Sequence, residues 1–337
     1  LIRRPVLASF SNSTRPALML AEIMSGVESM TARNGPIYVA KTQLSETIPL
    51  HVYLVKGARY AVWIDSGVQS MLPALVETMQ AASVPDRDLR FILHTHSHHD
   101  HMGCNAQLQD RTGCLIGAHR HYAAWHSDFE RHYQEFARPF PDFIPDTPAL
   151  RDEVLSILDE PRPLDLFIEE GMQFNLGGGV SLQAISLPGH LLAEFGWYEA
   201  LTGTLILGDA VTGLDWPLFH SHLSVSGYRS SLDKIHRLLT ELEVRQVVFA
   251  HFPPMTPVET AELLRRAHAY LDSIEVTLLR ILAESEQVTL ETLWRETCAR
   301  LGRMQEFRSL NMVFAHVQDM LERSIIHVVG AQQYALK

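Results

Sequence analysis

Two hydrophobic patterns alternate along most of the chain. Short runs rich in β-branched and aromatic residues, bounded by turn residues, predict strands. Between them, apolar residues recur at helical spacing and predict helices over residues 71–82, 103–111 and 228–242. Strands interleaved with helices in this way indicate a layered α/β fold. The predicted strands cover residues 36–41, 50–55, 60–64, 90–93, 114–117, 172–174, 180–187, 195–199, 204–207 and 246–250.

Residues 119–170 depart from this pattern, being helical in parts, interrupted by prolines and rich in aromatic side chains. A connection of this length between sheet strands is more often a functional lid than a plain loop. We therefore expect the segment to cap a pocket, with Trp125 and Phe129 contacting the substrate. An aromatic core packed on the main body is the alternative, and both can hold. The aromatic character favours an acyl or aromatic substrate over a bare sugar or phosphate.

After residue 256 the pattern becomes almost wholly helical until two short strands end the chain. Helices followed by a β-hairpin look like a winged helix. We therefore expect a domain over 1–256 and a helical, winged-helix-like domain over 257–337. Leucines at helical spacing along the first of these helices also predict a homodimer. The predicted elements are helices 258–284, 290–301 and 309–322 and strands 325–329 and 333–336.

Composition narrows the classes of protein. With 46% hydrophobic and 20% charged residues over 337 positions, the composition is that of a globular chain. No apolar run approaches the roughly 20 residues that span a bilayer, and no secretory segment is evident, so no membrane partner is expected. Three widely spaced cysteines give no disulfide framework and favour a reducing cytoplasm. A net charge of −11 argues against nucleic acid as a partner.

Histidine is unusually frequent, with 18 in the chain, and several cluster directly after the predicted strand 90–93. Histidine is the commonest metal ligand in proteins. In an extended segment alternate residues point the same way, so His96 and His98 can converge on one ion. Asp100 and His101 can then turn toward a second, and this ligand mixture suits zinc, with iron or manganese as alternatives. A solvated surface run is the other interpretation, but a preceding strand and a following glycine are not typical of one.

The spacing His96-x-His98-x-Asp100-His101 resembles the H-x-H-x-D-H signature of the metallo-β-lactamase superfamily. Four other segments are similar, in the right order, to further motifs of that family. The resemblance covers about residues 36–256 and implies an αββα sandwich, here with a helical lid insertion and a helical C-terminal unit. The four segments are the D-S-G turn at 65–67, the P-G-H loop at 188–190, the G-D loop at 208–209 and His251 at a strand end.

The resemblance also implies a ligand set for two divalent metal ions. Asp209 would bridge the two ions and Asp100 would double as a proton acceptor, so both are candidate catalytic residues. Asp65 is a candidate for orienting a ligand histidine through a hydrogen bond, with the capping of a turn as the alternative. One ion would be held by His96, His98 and His190, and the other by Asp100, His101 and His251.

The expected activity follows from the same resemblance. True β-lactamases of the family are secreted and lack both the bridging aspartate and the C-terminal extension, so the chain looks closer to the glyoxalase II, lactonase and thioesterase branch. That branch implies hydrolysis of a carboxylic thioester, ester or lactone of a small acyl substrate by a metal-bound hydroxide. The alternative is an endoribonuclease, or a nucleic-acid-binding protein that uses the winged helix. The slight excess of acidic over basic residues in 257–337 counts against it.

The remaining histidines carry different expectations. His220 and His222 follow the bridging aspartate in a segment that borders the substrate pocket in the family, so either can contact substrate. His99 occupies a variable position of the signature and is expected to point away from the site. His119, His121, His126 and His132 lie on the predicted lid and are expected to be solvated rather than catalytic.

Overall fold

Two β-sheets form the centre of the fold. The computed structural model describes residues 28–29, 35–211, 214 and 222–337. The first sheet consists of β1 (Glu28–Ser29), β2 (Ile37–Gln43), β3 (Pro49–Lys56), β4 (Ala61–Ile64), β5 (Leu89–Leu93), β6 (Leu115–Ala118) and β7 (Leu166–Phe167). These seven strands lie side by side in chain order. The pairs from β1 to β4 are antiparallel, and those from β4 to β7 are parallel.

The second sheet contains β8 (Gln173–Gly177), β9 (Val180–Ser186), β10 (Phe195–Glu199), β11 (Thr204–Ile206) and β12 (Gln246–Val248). Its order is β12-β11-β10-β9-β8, and only the β11–β12 pair is parallel. Side chains of both sheets share one buried cluster, in which Val39 and Val55 of the first sheet join Leu182 and Trp197 of the second. The two sheets therefore pack face to face.

Helices cover the outer faces of both sheets. The helices are α1 (Leu72–Ala81), α2 (His99–Met102), α3 (Asn105–Thr112), α4 (Ala123–Ser127), α5 (Phe129–Phe136), α6 (Pro148–Leu155), α7 (Val225–Glu241), α8 (Pro257–Ala283), α9 (Leu290–Leu301) and α10 (Phe307–Glu322). Leu75 of α1 and Leu108 of α3 pack on the first sheet. Leu232 of α7 and Leu264 of α8 pack on the second. This arrangement confirms the predicted αββα sandwich.

Most predicted elements are present with ends shifted by a few residues, but the H-x-H-x-D-H segment differs in one respect. The backbone is extended only as far as His98 (φ −76°, ψ 155°), and α2 begins at the next residue. The extended backbone that the alternation requires is therefore present up to His98. Asp100 and His101 lie on a helical turn instead.

The C-terminal part contains α8, β13 (Val288–Thr289), α9, α10, β14 (Ile326–Gly330) and β15 (Gln333–Leu336). The three strands form an antiparallel sheet in the order β13-β15-β14, and β13 was not predicted. Helix α8 begins at a capping box formed by Thr256 and Glu259, with Pro257 in its first turn. Neither this 27-residue helix nor any other described helix is long and apolar enough to cross a membrane. Its leucine stripe is buried within the chain, as shown by Leu263, Leu264, Leu271, Leu278 and Leu282.

Residues 119–170 and the C-terminal part share a single hydrophobic core. The rings of Phe136 and Phe307 meet edge to face at 5.0 Å, and those of Phe140 and Phe314 at 4.9 Å. The side-chain amide of Asn311 donates to the carbonyl of Phe136 at 3.0 Å. The segment is therefore packed as the aromatic-core alternative expects, and capping of a pocket stays a prediction.

Two histidines of this segment correct an expectation. His126 and His132 are both buried rather than solvated. His126 Nε2 lies 2.9 Å from the hydroxyl of Ser97, and the ring of His132 lies 4.7 Å from that of Trp125. His126 lies on α4 and His132 on α5. Both are buried because these helices pack with those faces against the rest of the protein.

Candidate metal centre

The ligand loops converge at the ends of β5, β9, β11 and β12. The H-x-H-x-D-H segment follows β5, the P-G-H loop follows β9, the G-D loop follows β11 and His251 follows β12. The G-D loop approaches the first segment so closely that a Cβ on Gly208 would lie 2.3 Å from Oγ1 of Thr95. Glycine at this position is therefore required for Asp209 to reach the site.

Three histidines form the first group of ligand atoms. Nε2 of His96 lies 3.1 Å from Nδ1 of His98, and Nε2 of His190 lies 2.9 Å from the same Nδ1. One ring nitrogen cannot make good hydrogen bonds to both neighbours, whereas a divalent cation accepts a lone pair from all three. Burial and the nearby imidazoles of His190 and His96 hold the pKa of His98 well below its usual range. His98 is therefore neutral, which is the ligating form of histidine.

The second group of ligand atoms comes from Asp100, His101 and His251. Oδ2 of Asp100 lies 3.4 Å from Nε2 of His251 and 3.8 Å from Nε2 of His101. Nε2 of His101 is buried and has no hydrogen-bond partner among the described residues. This nitrogen lies near the carboxylates of Asp100 and Asp209. A cation bound between the nitrogen and the two carboxylates would explain why it is buried without a hydrogen-bond partner.

Asp209 connects the two groups. Its Oδ2 lies 3.6 Å from Nε2 of His190, on the side of the first group. Its Oδ1 lies 3.6 Å from Nε2 of His101 and 3.3 Å from Nε2 of His251, on the side of the second. All seven predicted ligands are thus brought together, and this set of histidine and aspartate donors fits divalent metal ions.

Asp65 holds two of the ligand histidines in orientation. Its Oδ2 lies 2.9 Å from Nδ1 of His101, which directs the other ring nitrogen into the site. The hydroxyl of Thr95 donates to the same oxygen at 2.8 Å, and it lies 3.1 Å from Nδ1 of His96. Burial lowers the pKa of His101, but the carboxylates of Asp100, Asp65 and Asp209 outweigh it and raise that pKa to about 9.

Glu194 is part of the centre, and sequence reasoning missed it. It is fully buried, and its Oε1 accepts the backbone N–H of Asp209 at 3.0 Å. Oε1 also lies 3.9 Å from Nδ1 of His96, while Oε2 has no hydrogen-bond partner among the described residues. Burial, together with the charge of Asp209, raises the pKa of Glu194 well above its usual range. A carboxylate inside the apolar run from Leu191 to Tyr198 was the available signal.

A cavity of about 230 Å³ opens onto this centre. Its lining includes metal-centre residues, an apolar group and a polar group, all from the described part of the chain. His99 belongs to the lining, so the expectation that it points away is wrong. The metal-centre residues are His98, Asp100, His190, Asp209 and His251; the apolar group is Leu44, Ile48, Phe136 and Ile157; the polar group is Ser45, His99, Glu153 and Arg308.

Three predicted substrate residues, Trp125, Phe129 and His222, lie outside this lining. Trp125 is buried with its ring 6.5 Å from that of His98, and its Nε1 donates to Glu135 at 2.7 Å. Phe129 is half-buried at the start of α5. His222 is buried with its Nε2 3.0 Å from Nε2 of His316, and His220 lies outside the described residues. Substrate contacts by these four residues stay predictions.

Known structures share this architecture. A metallo-beta-lactamase family protein from Thermus thermophilus is 19% identical, with a TM-score of 0.71 over 90% of this chain and 99% of that chain. A beta-lactamase domain protein from Burkholderia ambifaria is 15% identical, with a TM-score of 0.68 over 93% and 95% of the two chains. An archaeal metallo-beta-lactamase superfamily protein from Sulfolobus tokodaii is 19% identical, with a TM-score of 0.54 over 82% and 98%. Residues 257–337 are too many to fall outside matches of 90% and 93%, so the first two likenesses extend into the C-terminal part.

The family itself is established at the level of sequence. The sequence model of the Metallo-beta-lactamase superfamily matches residues 48–251, a span that runs from β3 to the last ligand histidine and exceeds half of the chain. Every ligand position of the centre described above falls inside this span. Taken with the shared architecture, the match shows that this chain belongs to the metallo-beta-lactamase superfamily.

Proposed function

We propose that the protein is a dinuclear-metal hydrolase that cleaves a carboxylic thioester, ester or lactone. The observation that carries this proposal is the position of Asp209, which turns one carboxylate oxygen toward each group of ligands. A shared carboxylate of this kind suits two ions held close together. Zinc suits the donor set best, with iron or manganese as alternatives.

Two ions held by these residues would supply an activated water molecule and polarisation of the substrate carbonyl. The chain positions its own groups for the remaining work. Asp100 lines the cavity, and we assign its carboxylate the role of accepting a proton during hydrolysis. Burial would raise the pKa of Asp100, but His101 and His251 outweigh it and hold that pKa well below its usual range. Asp100 is therefore ionised at neutral pH, which is the form in which a carboxylate binds a metal ion.

The walls of the cavity support an acyl substrate. Leu44 and Ile48 come from the loop between β2 and β3, and Phe136 and Ile157 come from residues 119–170. Apolar side chains on two sides of a metal centre favour a hydrocarbon chain over a phosphate or sugar. This is the support for placing the protein near the glyoxalase II, lactonase and thioesterase branch of the family.

We propose that the C-terminal part is a winged-helix-like domain, with the division from the catalytic domain near residue 257. The order α8-β13-α9-α10-β14-β15 and the sheet order β13-β15-β14 support this class. A role in nucleic-acid binding is the alternative. Against it, many arginines of this part are paired with carboxylates, which removes the cationic face that phosphate binding needs. The pairs include Arg265–Glu262, Arg295–Glu291, Arg300–Glu284, Arg308–Glu153 and Arg323–Glu275.

Location and assembly are also proposals. The cysteines Cys104, Cys114 and Cys298 are free and buried, which supports the proposed reducing cytoplasm. A homodimer stays a prediction, and the leucine stripe of α8 that motivated it is covered within the chain.

The proposed function is tested by assaying zinc, iron and manganese forms on short acyl thioesters, lactones and aryl esters. We expect at least one class to be hydrolysed, and Asp209→Ala to lose that activity by more than about 100-fold. Asp272→Ala is the matched control, because Asp272 is an exposed carboxylate paired with Arg229 outside the site. Cleavage of RNA with no turnover of any acyl substrate would replace this proposal with the nuclease alternative.

A further inference from the structure

The polar part of the cavity lining has no role in the proposed chemistry. His99, Glu153 and Arg308 line the same cavity as the metal-centre residues, yet none of them belongs to the ligand groups. They come from three separate regions of the chain: the signature segment, helix α6 and the beginning of α10. A polar cluster assembled from distant regions beside the apolar side chains of this cavity calls for a ligand group to match it.

Arg308 is held rigidly at this position. Its Nη2 donates to Oε1 of Glu153 at 2.8 Å, and its Nη1 donates to Oε2 of Glu306 at 2.9 Å. Its guanidinium also stacks over the ring of Phe307, with 4.2 Å between Cζ and the ring centroid. The side chain is 17% exposed. A guanidinium carries five N–H groups, and these two ion pairs use two of them, so donors remain for a bound group.

The positive charge of Arg308 is exceeded by the negative charge of its two partners. Two carboxylates, Glu153 and Glu306, contact one guanidinium, so the cluster carries an excess of negative charge. A carboxylate or phosphate on the substrate would be the third anion around the same cation and would be repelled by Glu153. An uncharged group that accepts from Arg308 and donates to Glu153 meets no such cost.

His99 is the third polar residue of the cluster. It is 7% exposed and lines the cavity, and its Nδ1 has no hydrogen-bond partner among the described residues. Its ring is held at 5.2 Å from that of Phe136 and 5.7 Å from that of His132. This nitrogen is a hydrogen-bonding group that the described residues leave unused.

We propose that His99, Glu153 and Arg308 form a subsite for an uncharged hydrogen-bonding group, a hydroxyl or an amide, on the acyl part of the substrate. The subsite rests on the proposed function, because it assumes that an acyl chain enters the cavity. Phe136 and Ile157 contact the hydrocarbon portion, and the three polar residues select chains that carry the hydrogen-bonding group.

The test separates recognition from turnover. The probes are unreactive ketones in which a methylene replaces the thioester sulfur, with hexanoyl, 4-, 5- or 6-hydroxyhexanoyl and 5-carboxypentanoyl acyl groups. Binding to the metal-loaded protein is measured by calorimetry, and the corresponding thioesters are assayed for hydrolysis. We expect at least one hydroxylated ketone to bind about 3- to 10-fold more tightly than hexanoyl ketone, as one or two hydrogen bonds would give. The carboxylated ketone should bind more weakly than the best hydroxylated one.

Variants assign the preference to the proposed residues. In Arg308→Met and in Glu153→Ala, the hydroxylated ketones and hexanoyl ketone should bind with nearly equal affinity. Glu153 is 49% exposed, so this second variant tests the subsite if the loss of Arg308 impairs folding. Arg295→Met is the control, because Arg295 also pairs with a glutamate and lies over an aromatic ring, that of Trp294, but is not part of the cavity lining.

The outcomes distinguish the two proposals. Preferential ketone binding without hydrolysis of any thioester would keep the subsite and reject thioester hydrolysis. The subsite is overturned if no ketone binds, if hexanoyl ketone binds as tightly as every hydroxylated one, or if the carboxylated ketone binds most tightly. It is equally overturned if the preference survives in both Arg308→Met and Glu153→Ala.

Discussion

The backbone N–H of Asp209 donates to the carboxylate of Glu194 at 3.0 Å, and both residues are buried. Glu194 follows the P-G-H loop by four residues, so this bond ties the loop that carries His190 to the residue that faces both ligand groups. The backbone of Asp209 is therefore fixed by a side chain that is not itself a ligand.

We expect Glu194→Ala to weaken metal binding by about 10- to 100-fold, the usual effect of removing a residue that orients a ligand. Glu194→Gln keeps an oxygen that can accept the N–H of Asp209, so it should stay within about threefold of the wild type. Competition against a chromophoric chelator measures both affinities without reference to activity.

Glu199→Ala is the control for this experiment. Glu199 is also fully buried on β10, but its carboxylate accepts the N–H groups of Leu201 and Thr202, away from the metal centre. Glu199→Ala should lower the stability of the protein and leave its metal affinity unchanged. Wild-type affinity in Glu194→Ala would show that Asp209 does not depend on this contact.

The metal content itself is a second prediction. Protein purified without chelators should hold close to two ions per chain by elemental analysis, and Asp209→Ala should lose most of the second. Because the ions bind the folded state, removing them by chelation should lower the free energy of unfolding by about 3 kcal/mol per ion at a free concentration 100 times Kd. Metal-free protein from metal-replete cells would contradict this prediction, as would two tightly held ions in Asp209→Ala.

Aromatic side chains of residues 119–170 should differ in effect according to their position. Phe136 lines the cavity, so Phe136→Ala should raise KM and shift acyl chain-length preference. Trp125→Ala should mainly lower stability, by about 3–5 kcal/mol, because that ring is buried. Half-buried Phe129 provides the comparison. A larger shift in chain-length preference from Phe129→Ala or Trp125→Ala than from Phe136→Ala would favour the sequence-based assignment.

The parts of the fold and the site that could be predicted from the sequence are those determined by residues close together in the chain. The strand Phe195–Glu199 and the helix Leu290–Leu301 were predicted at their observed bounds, since each is determined by local periodicity. The seven candidate ligands were predicted because short motifs encode them, and the structure brings them together. Arg308 could not be found in this way, since its partner Glu153 lies 155 residues away and only the folded chain brings the two together.

The paired histidines His222 and His316 predict a dependence of stability on pH. Burial, then the charges of His190 and Arg229, lowers the pKa of His222 to about 3, and burial lowers the pKa of His316 well below its usual range. Since the folded pKa lies below the unfolded value of about 6.5, protonation favours the unfolded state. The stability is complete above pH 6.5 and is lost as the pH falls toward 3, by at most about 1.4 kcal/mol per pH unit for each histidine.

Denaturant unfolding at pH 7, 6 and 5 measures this effect. His222→Gln should reduce the slope of stability against pH. The same substitution at His327, which is exposed on β14, should leave the slope unchanged. An identical slope in wild type and His222→Gln would show that the buried pair does not take up protons on unfolding.

The core shared by residues 119–170 and the C-terminal part has a consequence for how this protein can diverge or be re-engineered. Phe136 forms a wall of the cavity and packs directly on Phe307, so an exchange of the C-terminal part alone would leave the wall with a mismatched neighbour. To transfer the substrate preference of a homologue, residues 119–170 and the C-terminal part must therefore be exchanged together. Within a lineage, replacements on the two sides of this contact should be correlated, while the metal ligands stay unchanged.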